Sequence, residues 1–282
     1  MTNPVQTTGY KTAPAKARPG LLYDGDHDIW GVSCDETDGI APGLLVVRST
    51  GGDHAAVLPP TPVADPDGIY TSHAASAGGA QNLTSASWDG VLAGARFALP
   101  AKLTVTLNSN ANWDATVGSI TYPNENGELV TESLTIPDGG NAVLTTTGYA
   151  SGPPTAVTIP QQSGAAATYT IGVSATVTLE GGIVHGISVR EHKGLVVPAY
   201  DDNEVWEEGV EFGALRRGRI YVQMENSFTA GDYPYVRLTA GVGEQRGRFR
   251  SDSDGGDAVI FRRARLMNSG SAGEYAILDP RL

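Results

Sequence analysis

The stretch Val117-Gly-Ser-Ile-Thr-Tyr-Pro-Asn-Glu-Asn-Gly-Glu-Leu-Val-Thr-Glu-Ser-Leu-Thr-Ile136 decides the fold class. On both sides of Asn126-Gly127, apolar and polar residues alternate, which is the period of a half-buried strand. Asn-Gly favours a two-residue hairpin turn because both central residues need positive φ. The segment therefore predicts a hairpin of Val117–Tyr122 against Val130–Ile136. Asp138-Gly-Gly140 marks the next turn.

Working outward, the same texture recurs in Lys102–Leu107, Asn141–Thr146, Thr155–Ile159 and Tyr169–Thr178. Short strands at regular spacing, each followed by turn residues, describe a β-sandwich. From about 63 to 181 the only basic residues are Arg96 and Lys102. Upstream, Leu58-Pro-Pro-Thr-Pro-Val-Ala-Asp-Pro66 is a break that no strand interior tolerates. Before it, Leu21–Tyr23, Ile29–Val32 and Leu44–Val47 read as strands separated by Asp/Gly turns. After Gly182, Gly218–Gln223, Tyr233–Leu238 and Ala258–Phe261 resume that pattern. No helical period persists over a dozen residues. The expected fold is all-β: a β-barrel or jelly-roll-like base domain from 20–62 and 182–282, interrupted by an inserted β-sandwich over 63–181. Residues 1–19, polar and rich in Thr, Pro, Ala and Lys, read as a flexible arm without the apolar core of a signal peptide.

No run approaches the eighteen apolar residues that span a bilayer. Cys34 is the single cysteine, so no intrachain disulfide forms; it reads as a small core hydrophobe in a protein made in a reducing cytoplasm. The net charge of -12 argues against direct nucleic-acid binding. Basic residues concentrate after 181, where all but one are arginine. They fall as Arg216, Arg217 and Arg219, as Arg246, Arg248 and Arg250, and as Arg262, Arg263 and Arg265. Arginine suits bidentate pairing with carboxylates across an interface; the alternative is a solvated strand face. The acidic run Asp201, Asp202, Glu204, Glu207, Glu208 and Glu211 has two readings as well: partner to those arginines between protomers, or solvated loop.

Other constellations carry little chemistry. Asp24, Asp26 and Asp28 have the first spacing of a calcium loop, but Ile29 stands where glycine is needed and Asp35 where glutamate is; a turn with Asx caps is the better reading. Asp252-Ser-Asp254-Gly-Gly-Asp257 is similar. His27, His54, His73, His185 and His192 lack metal spacing, and the two flanking the 186–190 strand read as surface or edge residues. No nucleophile elbow, P-loop or dinucleotide fingerprint occurs. No catalytic residue, metal or cofactor is expected. Trp30 reads as core; Trp88 and Trp113, in Ser/Asn/Asp-rich surroundings, read as core or rim packing ahead of carbohydrate stacking.

Four segments after 183 run in a familiar order: Gly186-Ile-Ser-Val-Arg190, Gly213-Ala-Leu-Arg-Arg-Gly-Arg-Ile-Tyr-Val222, Ala230-Gly-Asp-Tyr-Pro-Tyr-Val-Arg237 and Gly247-Arg-Phe-Arg-Ser-Asp252. Ala264–Gly270 and Ala276–Leu278 continue them, and Gly39-Ile-Ala-Pro-Gly43 through Ala56-Val-Leu-Pro59 matches upstream. Together they resemble the structural cement proteins of tailed phages, over about half the chain. The resemblance implies a non-catalytic decoration protein on the outer surface of the mature head, partnered by the major capsid protein and by itself, trimer ahead of dimer. It places the 214–222 and 246–250 arginines against carboxylates of the capsid or a neighbouring subunit. The long insertion departs from the family pattern and is similar to Ig-like modules of phage structural proteins. The competing readings are a tail-fibre or glycan-binding module, and a β-sandwich glycan hydrolase.

Overall fold

The computed structural model describes residues 18–139, 141–190 and 205–282. The 1–17 part of the expected arm, together with Asp201, Asp202, Glu204 and His192, lies outside them. Among the described residues there are eighteen β-strands and two single turns of 3₁₀-helix. The fold is all-β.

The first piece supplies β1 (Leu22–Cys34), β2 (Leu45–Arg48) and β3 (Ala55–Val57). Eight strands follow: β4 (Asp65–Ala74), β5 (Gln81–Thr84), β6 (Ala101–Leu107), β7 (Thr116–Pro123), β8 (Leu129–Ile136), β9 (Val143–Thr145), β10 (Ala156–Ile159) and β11 (Thr168–Val177). They form two four-stranded sheets, β5-β10-β7-β8 and β4-β11-β6-β9, built from this stretch alone. The return supplies β12 (Val184–Ser188), β13 (Glu211–Gln223), β14 (Tyr235–Arg237), β15 (Phe249–Arg250), β16 (Ala258–Ile260), β17 (Ala264–Leu266) and β18 (Tyr275–Pro280).

The hairpin that opened the sequence reading is present. Residues 116–123 and 129–136 pair in unbroken antiparallel register, but the turn is longer than the expected two residues: Asn124 N–H donates to the Glu128 carbonyl across it, and Gly127 but not Asn126 adopts positive φ, at +83°. β8 is an edge strand, and an inward charge guards it. The Glu132 carboxylate accepts from Tyr122 Oη and from the Thr147 and Gly148 amides at 2.7 and 2.9 Å. Burial alone would raise its pKa, but the Tyr122 and backbone hydrogen bonds outweigh it and hold the group below its usual range. A lowered folded-state pKa contributes stability above the unfolded value of about 4 and loses it as pH falls further. Glu132→Gln is expected to cost about 1–3 kcal/mol at neutral pH. It should also flatten part of the acid limb of thermal stability; an unchanged limb in melts across a pH series would refute the assignment.

In the base, β1 pairs with β3, β3 with β2, β2 with β12, β12 with β13, and β13 returns to β1. Five strands thus close into a small barrel filled by side chains. Val32, Cys34, Val46, Ala56, Phe212 and Ala214 fill it, with Trp206 and Phe212 stacked 6.1 Å apart. Neighbouring positions point outward: Leu45, Val47, Ile187 and Leu215 join a second cluster that runs through the 65–177 sheets to Phe249 and Phe261. β2 is therefore buried on both faces, which is why it reads as a continuous apolar run.

Two polar contacts tie the halves together where the chain re-enters the base. Arg48 and Arg96 both pair with Asp53 at 3.3 Å. Gly181, at φ +82°, lies so close to the β7–β8 hairpin that a Cβ there would stand 2.1 Å from the Glu125 carbonyl oxygen; Arg263 donates to the Gly181 carbonyl at 2.8 Å.

Three local expectations are corrected. The Asp24–Asp28 stretch is not a turn: β1 runs through it with bulges, its register setting Asp24 opposite Arg219 and Asp28 opposite Arg217. Trp30 is not core but 39% exposed, because its strand position falls at the open end of the barrel. His185 is buried, its Nε2 3.2 Å from the Ala55 carbonyl oxygen, and burial pushes its pKa down. Trp88 and Trp113 are buried as packing residues, and Cys34 is buried with its thiol donating to the Trp206 carbonyl at 3.0 Å.

Candidate functional site: the arginine-bearing strands

The three-stranded sheet β15-β14-β16 places Arg237 at the end of β14 and Arg250 at the end of β15. Arg237 is 1% exposed. Its Nε donates to both Glu225 carboxylate oxygens at 2.9 and 2.8 Å, and its Nη2 reaches Asp254 at 2.7 Å and Glu244 at 3.0 Å. Arg250 Nη1 meets Asp254 at 2.5 Å and Glu225 at 3.4 Å, while its Nε donates to Asp252 at 2.8 Å. Two guanidiniums thus share four carboxylates, each charge hydrogen-bonded, as burial of ions requires. Burial would lower the pKa of Arg237, but Glu225, Asp254 and Glu244 raise it, and the hydrogen bond from Arg237 holds Asp254 below the usual carboxylate range. Asp254 accepts this role at φ +47°, a backbone region that aspartate enters more readily than most residues.

Sequence reading missed Arg237, Glu225 and Asp254. The available signal was Asp252-Ser-Asp254, which satisfies arginines instead of a cation. Among the described residues no group of three or more His, Cys, Asp or Glu side chains is placed to hold a metal.

The anticipated interface arginines divide by environment. Arg250 lies in the cluster just described. Arg246 Nη2 pairs with Glu36 at 2.5 Å, linking the 245–248 segment to the first half of the chain. Arg248 is half-buried in an open cleft with Pro19, Arg190, Gln223 and Tyr275. On β13, Arg217 is exposed, Arg219 is half-buried, and the Arg216 guanidinium stands 4.7 Å over the Trp30 ring. Glu207, Glu208 and Glu211 are exposed. Glu211 begins β13, six residues and so about 20 Å along the strand from Arg217. Within one chain Glu211 and Arg217 therefore do not meet. Arg262 and Arg265 flank Tyr233, at 5.9 and 3.3 Å from its ring centre.

Comparison with known families decides what this base is. Residues 141–280 match the family described as structural cement protein (E217 gp24/Pam3 gp6). That stretch, just under half of the chain, belongs to the phage structural cement family. The match covers β9–β18 and with them every arginine of the β13, β14 and β15 strands, while the first barrel strands lie outside it. It also begins within the 63–181 stretch, so the family's sequence pattern does not respect the expected edge of the insertion. No curated protein matches the chain. As a cement protein it is a structural component of the virion, associated with the capsid shell. Among the described residues no helix is long and apolar enough to cross a membrane.

Proposed function

We propose that this cement protein decorates the outer surface of the mature head as a homo-oligomer, trimer ahead of dimer. It binds the major capsid protein through its base and directs the 63–181 module outward. The reading assigns no catalysis, nucleic-acid contact or membrane contact, and synthesis in the host cytoplasm. The observation that carries it is the group of three β13 arginines, Arg217 exposed and Arg216 and Arg219 half-buried, in a chain of net charge -12, within the region matched by the family. A lattice of shell subunits rewards such a surface, because each oligomer engages several subunits at once and modest contacts multiply.

Environment selects the residues that test it. Arg250 and Arg246 hold the chain together, so their loss confounds binding with folding. Arg217 is exposed and forms no salt bridge among the described residues. Co-sedimentation of the wild-type protein with undecorated mature heads is expected to saturate at a fixed ratio to capsid subunits. Arg217→Glu should weaken it by roughly ten-fold or more, since a like charge against a complementary partner costs several kcal/mol. Absence of wild-type binding to heads, with glycan capture by residues of the 63–181 module, would replace this reading with a tail or receptor-binding one.

A further inference from the structure

The barrel core is apolar, and past it, at one mouth, two arginines and two histidines gather around a partly exposed aromatic ring. Inward-facing positions continue along each strand past the core: Phe212 and Ala214 lead to Arg216, Val32 to Trp30, Val46 to Arg48, and Ala56 back to His54. The Trp30 ring has His54 at 5.9 Å and His185 at 6.2 Å, both edge-on, and the Arg216 guanidinium at 4.7 Å. Arg48, Arg216 and His54 all press the buried His185 toward its neutral form, so these basic groups lie within electrostatic reach of one another. Asp53 offsets part of this charge from outside, but it is largely exposed and shared between Arg48 and Arg96.

Arg216 is the anomaly. Its Nε is buried without a hydrogen-bond partner, although a buried guanidinium nitrogen ordinarily finds one. Glu125 and Glu180 line the cleft beside it without forming a salt bridge to it among the described residues. Two guanidiniums beside two imidazoles in a barrel mouth, with one donor unsatisfied among the described residues, cost stability, and such violations of local rules concentrate at binding sites. The chemistry asks for a carboxylate: an acceptor with two oxygens for the guanidinium fork. Trp30, 39% exposed, adds an apolar surface beside the charge. Tryptophan and arginine together are the residues that most often anchor protein interfaces.

We propose that this barrel mouth recognises an extended acidic segment of a partner protein, with one partner carboxylate taken by Arg216 and an adjoining apolar side chain resting on Trp30. A duplex nucleic acid fits less well, because the chain's net charge of -12 repels a dense polyanion while a single short acidic segment can enter. The inference rests on the capsid-binding reading for the identity of the partner, but not for the existence of the site.

The full-length protein would be titrated with short poly-L-glutamate, with a DNA duplex and with inorganic phosphate, and separately with undecorated heads. Arg216→Gln and Trp30→Ala are the site variants. Arg281→Gln is the control, since that side chain is 77% exposed and among the described residues pairs with Asp279; unchanged thermal melts certify folding. Poly-L-glutamate should bind the wild type, roughly ten-fold or more weaker with Arg216→Gln and little changed with Arg281→Gln. Equal losses in the control, or Arg216-dependent binding of DNA or phosphate in place of poly-L-glutamate, would overturn the proposal. Wild-type binding to heads that survives Arg216→Gln, with no capture of poly-L-glutamate, sinks this inference and leaves the decoration role intact. Capture of poly-L-glutamate without head binding retains the site and removes that role.

Discussion

Glu225→Ala is expected to lower stability by about 3–5 kcal/mol, the cost of removing one member of a buried ion pair. Glu225 is 10% exposed at its side chain and supplies both oxygens to Arg237 and one to Arg250. Its loss leaves two guanidiniums in a site where Asp254 and Glu244 reach Arg237 only through Nη2. For a chain of this size the melting temperature should fall by about 6–20 °C. Glu225→Gln keeps an oxygen acceptor and should lose less. The double replacement Arg237→Met with Glu225→Leu should recover part of the single-variant loss, because a buried ion pair often breaks even with an apolar pair. A drop below about 1 kcal/mol in Glu225→Ala would mean that Asp252, Asp254 and Glu244 close over both arginines unaided.

Trp113→Ala is the second large effect, about 3–5 kcal/mol. The ring is fully buried, packs edge-on against Tyr169 at 6.3 Å, and donates Nε1–H at 2.9 Å to Asn108 Oδ1, which keeps the Thr168 amide at 2.8 Å, so the cost of truncation is chiefly the cavity. Its value lies in the comparison with Glu225→Ala. Trp113 belongs to the 65–177 sheets and Glu225 to the base, yet one continuous cluster of buried side chains runs through both. Calorimetry is therefore expected to show a single transition that both variants shift. A separate, earlier transition in Trp113→Ala alone would show two units that melt independently.

These residues mark where the sequence was legible. Alternation located β6, β7, β8, β10 and β11, and Asn126-Gly127 located a hairpin, because each signal is local: period, turn chemistry and burial on one face coincide. β1 was read as two strands and a turn because aspartates disfavour strands in isolation. Its pairing depends on β13, nearly two hundred residues away, whose register sets Arg217 and Arg219 opposite those aspartates. The triplet Arg246, Arg248 and Arg250 suggested one strand face, but β15 spans only Phe249–Arg250, and the three side chains take separate environments. Arg237 was legible as the end of a strand; its burial was not, since the acids that permit it come from three different loops.

The closure of the barrel by β1 and β13 also dictates an order of events during synthesis. β1, β2 and β3 emerge early but cannot complete their ring until β12 and β13 have been made. Bringing Val57 and Val184 together through an unfolded chain of the intervening length would cost about 4 kcal/mol of closure entropy. The two sheets over 65–177 use only their own strands and can form while the ribosome is still adding the rest. Once formed, they present their two ends side by side and replace a long floppy loop with a short rigid one. The large middle segment then acts as an internal template for the part of the molecule that flanks it.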